Sequence, residues 1–507
     1  MLKIKRLFPL AALALCAPVI LLSVVIFSVS CSRQTGKGSL KPANDLRFGL
    51  TTEPVTFDPL NPANTADGRS ILFNVFEGLV KPDSSGGLIP AVAESYRVDG
   101  STYVFVLRKG IQFHDGKEVK PADVAFSLLE AQKAHFPGFD KIAGIDISGP
   151  REIRIILTKP DPEFLPYLTV GIVPRNNPDR EKKPVGTGPF IIKSYLPQQS
   201  LKLVRNPYYW HRGEPLLESV TIAFSSDTDS LLTGLKGGNI EGASVTGALI
   251  PQLDPNEFDI IPSNSNTVQL MALNNAQKPL DDVRVRRAIN YAIDVQRIIE
   301  TAFYGKGESS GSPLIPGLKN VYNESLRNPY PADLEKAKKL LAEAGYSKGF
   351  PLEIVVPSNY TMHVDTAQVI VHQLLDAGIV ATIRLLDWGT WLSEVYRNRN
   401  YQSTIISLDA NNVSPRSFLS RYLSDAKDNF INFNNPAYDK VYQAALVEND
   451  EKQRIALYKE AQQLISENAA SVFIQDIVGF KVFTKGRFDG IKNYPLYIID
   501  FASIYKK

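Results

Sequence analysis

PLEIVVPSNYTMHVDTAQVIVHQLLDAGIVATIRLL, residues 351–386, places one helical pattern between two β-rich runs. Residues 351–356 and 379–386 are β-branched stretches of strand length. Between them, residues 365–377 gather their apolar side chains on one face until Gly378 stops the pattern. A strand, a helix and a second strand of these lengths predict a parallel βαβ crossover. The segment therefore points to α/β architecture.

The same alternation extends outward from it. YVFVLR (103–108), EIRIIL (152–157) and SVTIAF (219–224) are further strand-like runs. Across 281–303, Val285, Ala288, Ile289, Ala292 and Ile293 keep a helical period, with Asp281 or Asp282 placed to cap its start. Residues 333–344 carry Ala337, Leu340, Leu341 and Ala344 on one face and end at Gly345, and 455–465 gives another amphipathic helix. The 34 prolines and 33 glycines are spread evenly, so no long linker breaks the chain into beads. A pair of α/β lobes is the natural reading of 507 residues that are 44% hydrophobic and 21% charged.

The N-terminus differs from this pattern. Lys3, Lys5 and Arg6 precede an uncharged run over 7–27, followed by Ser28, Val29, Ser30 and Cys31. A basic start, an apolar stretch and small residues are the parts of an export signal. A cysteine directly after them resembles the lipobox of bacterial lipoproteins, which implies lipidation at Cys31. Ordinary secretory cleavage and a retained anchor helix are the alternatives. Residues 32–45 then read as a fourteen-residue polar tether, with a reach of roughly 20 Å as a flexible coil. If Cys16 leaves with the signal and Cys31 is acylated, no thiol remains for a disulfide or a metal. Without the three basic residues of 1–30, the 56 basic residues fall to 53, against 53 acidic ones. Such a neutral surface argues against nucleic acid as a partner.

Motifs for bond-making chemistry are missing. PVGTGPF (184–190) has the glycines of a phosphate loop, but it feeds a hairpin over 191–204 rather than a helix N-terminus. A structural corner with two glycines at unusual φ is expected instead. RNPYYW (205–210) reads as aromatic corner packing. The five histidines, at 114, 135, 211, 363 and 372, show no metal-binding spacing, and no nucleophile elbow occurs. The expectation is a protein that is not an enzyme, with no cofactor and no metal.

Five ordered stretches carry a resemblance. They are EPVTFDP (53–59) with EGL (77–79); LIPAVAESY (88–96) running into YVFVLRKGIQFHDGKEVKPADVAFS (103–127); PVGTGPF with RNPYYW; LKGGNIE (235–241); and Leu273-Asn274 with PLDDVRVRRAI (279–289). Together they resemble the extracellular solute-binding proteins of the dipeptide, oligopeptide and nickel type, receptors of ABC importers. The resemblance implies a two-lobed periplasmic-binding-protein-like α/β fold of type II, in the large form with an extra subdomain in lobe I. The division it implies is a signal at 1–30, a lipidated cysteine and tether at 31–45, and a lobe I core at 46–80, 182–270 and 483–507. The inserted subdomain is then 81–181 and lobe II is 271–482.

The implied function is capture of a peptide or related small solute between the lobes and delivery to a membrane permease. The implied partners are that solute, the permease and, through the lipid, a membrane at the extracytoplasmic face; the receptor is expected to be a monomer. Oligosaccharide or metal-chelate binding, or an adhesin or sensor role, are the alternatives. The implied ligand contacts are Glu53 and Val55 from the first lobe. From the second they are Asn359, Tyr360, Asp409, Asn411 and Asn412, with Arg416 placed to meet an anionic group. Asn411 stands where dipeptide binders carry an acid for the amino end, and Tyr360 near the place of their carboxylate-binding Arg. Asp409 is the nearest acid that could take over.

Overall fold

In a computed structural model of the protein, residues 44–64, 66–409 and 412–507 are described. The expected signal segment, Cys31, the tether up to residue 43 and Asn411 lie outside them. The βαβ reading of 351–386 holds. Pro351–Pro357 and Val380–Leu386 pair in parallel, Pro351 opposite Val380, and the helix Thr361–Asp376 crosses between them. That helix starts four residues before the apolar pattern does.

Aspartates set where the helices begin. Asp333 caps Leu334–Glu343 by accepting from the Lys336 N–H, as Asp282 does for Val283–Ala292 from Arg284. The single helical pattern over 281–303 is two helices in the structure. Asp294 accepts from the Arg297 N–H and so starts Val295–Ala302 afresh. A capping side chain mid-pattern outweighs periodicity.

The lobes share one mixed sheet. Its order runs Val380–Leu386, Pro351–Pro357, Ser403–Asp409, Phe258–Leu273, Ser471–Thr484, Gly242–Thr246, Asp45–Leu50, Ser219–Phe224, Ser200–Arg205, Phe190–Leu196. The two long central strands, Phe258–Leu273 and Ser471–Thr484, are antiparallel. Their ladder runs from Phe258 opposite Thr484 to Asn264 opposite Val478, slips, and resumes at Val268 opposite Asp476. Such a slip locally frees backbone and lets the ribbon bend. A separate antiparallel sheet of Ala93–Asp99, Thr102–Leu107, Glu152–Leu157 and Ile142–Ile147, covered by the helix Pro121–Lys133, lies within the stretch 81–181 expected as the inserted subdomain. Its core is continuous with that of lobe I through Phe105, Phe164 and Phe48. Lobe II buries both faces of its half-sheet, around Trp391 and Tyr438 on one side and Ile289 and Ile370 on the other.

Candidate functional site

A cavity of about 600 Å³ is lined by residues of 59–82, 136–139, 166–171 and 496–498 together with Asn266, Thr267, Asp409 and Asn412. Its walls carry the rings of Phe73, Phe76, Phe136, Phe139 and Tyr167 and several prolines, beside the charged side chains of Arg69, Glu77 and Lys81. Asn266 and Thr267 from the slipped ladder, with Asp409 and Asn412 from lobe II, close the remaining side.

The lobe I wall is held rigid from behind by the corner at 184–190. The Gly186 N–H donates to His114 Nδ1 at 3.2 Å, and His114 Nε2 meets the Gly188 carbonyl at 3.1 Å. The Gly188 and Phe190 amides donate to the carbonyls of Val75 and Asn74, both at about 3 Å. Neither glycine has a positive φ, contrary to the sequence reading. They are needed for close approach, since a Cβ on either would overlap the Val75 backbone. Burial pushes the His114 imidazole down to about 4, so it stays neutral while both ring nitrogens are bonded.

The aromatic corner at 205–210 wraps a buried acid of the same wall. Glu77 accepts from Lys81 at 2.9 Å, from the Tyr209 hydroxyl at 2.9 Å and from Trp210 Nε1 at 2.7 Å. Arg108 stacks over the Trp210 ring at 3.8 Å. Burial works against the Lys81 charge, but Glu77 overcomes it and raises the lysine.

Of the expected ligand contacts, the structure brings Asp409 and Asn412 to the cavity. Asp409 ends the strand Ser403–Asp409, paired with Thr267, and is exposed. Its backbone carbonyl accepts from Arg421 at 3.1 Å, and its carboxylate has no partner among the described residues. Asn412 uses its side-chain oxygen inside its own loop, accepting from the Ser414 N–H and the Ser417 hydroxyl.

The others lie elsewhere. Glu53 accepts from the Tyr195 hydroxyl at 2.8 Å and the Gln198 N–H at 3.0 Å within lobe I. Val55 is 63% exposed beside it. Asn359 is exposed at the carboxyl end of Pro351–Pro357, and Tyr360 stacks edge-on against Trp388, 5.6 Å between centroids.

Arg416 does not face an open anion site. Its guanidinium forks onto Asp161 of the inserted subdomain at 2.8 and 2.9 Å. Lys141 reaches the same carboxylate at 2.6 Å. Next to it Glu163 accepts from the Ser414 hydroxyl at 2.6 Å, with Arg454 at 3.7 Å. Burial opposes the Asp161 charge, but the hydrogen bonds and charges of Arg416 and Lys141 prevail and hold it at about 2. The same pairing raises Arg416 against its own burial. The arginine is therefore a joint between lobe II and the inserted subdomain, because carboxylates of the protein already fill its fork.

The cavity wall itself was not anticipated. Phe73, Phe76, Phe136 and Phe139 look like ordinary core residues to any periodicity argument. Only the proline-aromatic clusters at 136–139 and 164–167 mark these turns as unusual.

Residues 87–430, well over half of the chain, match the family model of bacterial extracellular solute-binding proteins, family 5. The chain belongs to this family. Among its curated relatives, heme-binding protein A of Haemophilus influenzae is 27% identical, covering 93% of this chain and 94% of the relative. The dipeptide-binding protein of Escherichia coli is also 27% identical, covering 78% of this chain and 82% of the relative. HbpA2 from Haemophilus parasuis has the same fold, with a TM-score of 0.82 at 22% identity, over 92% of this chain and all of that one. The periplasmic binding protein DppA from Helicobacter pylori, in complex with the peptide STSA, gives 0.73 at 24% identity, over 92% and 98%. The fold is thus the two-lobed α/β fold of family 5 solute-binding proteins.

Proposed function

We propose that this member of the family is the receptor of an ABC importer that captures a peptide or closely related small solute and hands it intact to a permease. The observation that carries the reading is a ring-lined cavity between the lobes with Asp409 at its rim, a carboxylate that is bare among the described residues. A mostly apolar concavity with a few convergent polar groups is the usual form of a small-molecule site. An unpaired carboxylate there suits the ammonium of a peptide.

Capture proceeds by bending at the ladder slip, where Asn264 and Val478 give way to Val268 and Asp476. Glu53, Val55, Asn359, Tyr360 and Asn411 then reach the solute only as the lobes approach, joining Asp409 and Asn412. Differential contact in the closed form shifts the population. A lipid on Cys31 keeps the monomeric receptor at the extracytoplasmic membrane face, near its permease.

The test is native mass spectrometry of the protein with whatever solute copurifies, followed by calorimetry with that solute. A short peptide recovered unchanged is expected. A saccharide, a metal chelate or a chemically altered solute would overturn the reading.

A further inference from the structure

A buried lysine outside the cavity fastens part of its wall. Residues 490–500 form neither helix nor strand, yet Leu496, Tyr497 and Ile498 line the cavity. Without a backbone ladder of its own, the segment is held by side chains at its two ends. One end is tied to the long central strands. Lys481 Nζ donates to the Lys492 carbonyl at 2.8 Å, and Asn493 Nδ2 to the Pro262 carbonyl at 2.5 Å. Lys481 stands three residues from Val478, and Pro262 two from Asn264, where the ladder slips. The other end is tied to the wall that follows the helix Ala66–Leu72. The Ile499 N–H donates to the Ser70 hydroxyl at 2.9 Å. Asn74 donates to the Ile499 carbonyl at 2.7 Å and accepts from the Phe501 N–H at 2.9 Å.

Lys481 is only 5% exposed, and a lysine is rarely buried so far without a paired acid. Among the described residues its ammonium has one hydrogen-bond partner, the Lys492 carbonyl, and one acid acting on it, Asp500. Both belong to the segment. Burial pushes the lysine down to about 8 and Asp500 opposes the fall, so the charge is kept at neutral pH. An apolar side chain would cost less at such a position, so folding alone gives no reason for the charge. We propose that Lys481 is a positioning residue for solute capture: it holds 490–500 to the ladder beside the slip, and so sets where Leu496, Tyr497 and Ile498 stand in the cavity as the ladder bends. The inference rests on the receptor reading for the solute and not for the fastening itself.

Hydrogen exchange and urea unfolding of the parent, Lys481→Met and Asn493→Ala test it, with calorimetry of Ala-Phe-Ala alongside. Lys481→Met keeps an unbranched side chain and removes the charge. Amides of 490–501 are expected to exchange at least tenfold faster in it, while the urea midpoint holds or rises. Asn493→Ala, at a half-buried position, should speed the same amides. Both variants should bind Ala-Phe-Ala at least fivefold more weakly than the parent. If the parent does not bind the tripeptide, the peptide reading falls and exchange alone decides the inference. Unchanged exchange over 490–501 in both variants would overturn it. So would faster exchange spread over the whole chain with a lower midpoint, or a tripeptide affinity that survives the loosening.

Discussion

Two charged residues seven positions apart on one lobe II loop have opposite surroundings. Arg416 is buried, with its fork filled by Asp161 and Glu163 beside it. Asp409 is exposed at the cavity rim, with a carboxylate that meets nothing among the described residues. Both were expected to read the solute. A charge whose partners are already supplied by the protein is committed to architecture, and changing it should alter folding. A charge left bare beside a cavity costs little to keep in water and is free to recognise something. The state of a residue's partners, more than its type, separates the two.

The largest effect is expected from breaking the filled pair. Arg416→Ala leaves Asp161 and Glu163 buried near one another with only Lys141 and Arg454 to balance them. Removing one partner of a buried ion pair costs about 3–5 kcal/mol. Urea unfolding followed by tryptophan fluorescence reads it. A loss below about 1 kcal/mol, within the range of exposed pairs, would return Arg416 to the candidate ligand contacts.

A smaller effect sharpens the same distinction for groups that are satisfied only when neutral. His114 is bonded at both ring nitrogens, and His363 meets the Gln269 amide at 3.0 Å. Burial lowers both from 6.5 to about 4. The unfolded chain therefore takes up protons at a higher pH than the folded one. The stability these two groups contribute is full above about pH 6.5, falls as pH drops toward 4 and levels off below that. Each histidine contributes a loss of about 3 kcal/mol over the window, at roughly 1.4 kcal/mol per pH unit. Denaturation midpoints between pH 7 and 4 in His114→Gln and His363→Gln variants check this, since each should flatten the slope. His114 sits in lobe I and His363 in lobe II, so a flattening by only one would show that only one lobe limits acid stability.

The fold was far more legible than the site, and the reason is physical. Strands and helices repeat at two and 3.6 residues, so 351–386 announces its crossover without help from the rest of the chain. Where a local side chain competes with the period, as Asp294 does, the reading joins two helices into one. The corner at 184–190 was legible as scaffold, but its glycines answer to the Val75 backbone more than a hundred residues away. No local pattern records that approach. The cavity is harder still, because a ring facing a void and a ring facing other rings have the same sequence signature. Asp409 and Asn412, which line the cavity, stood out because a loop after a strand carries polar residues with no periodic role. Arg416 was read as open to an anion for the same reason, and its pairing was not visible because its partners lie some 250 positions earlier in the chain.

The smallest expected effect on folding comes from the bare member of the pair, and there the outcome should separate binding from stability. Asp409→Asn keeps the shape of the side chain and removes its charge. With no protein partner to abandon among the described residues, the variant should unfold within about 0.5 kcal/mol of the parent, as ordinary surface substitutions do. Its affinity for a solute with a free ammonium should fall about tenfold, since a charge-assisted contact becomes a neutral one. The same solute with its amine acetylated should bind both forms alike. A matched loss for the free and acetylated solutes would mean that Asp409 shapes the rim without reading charge. The ammonium would then have to be met by another group.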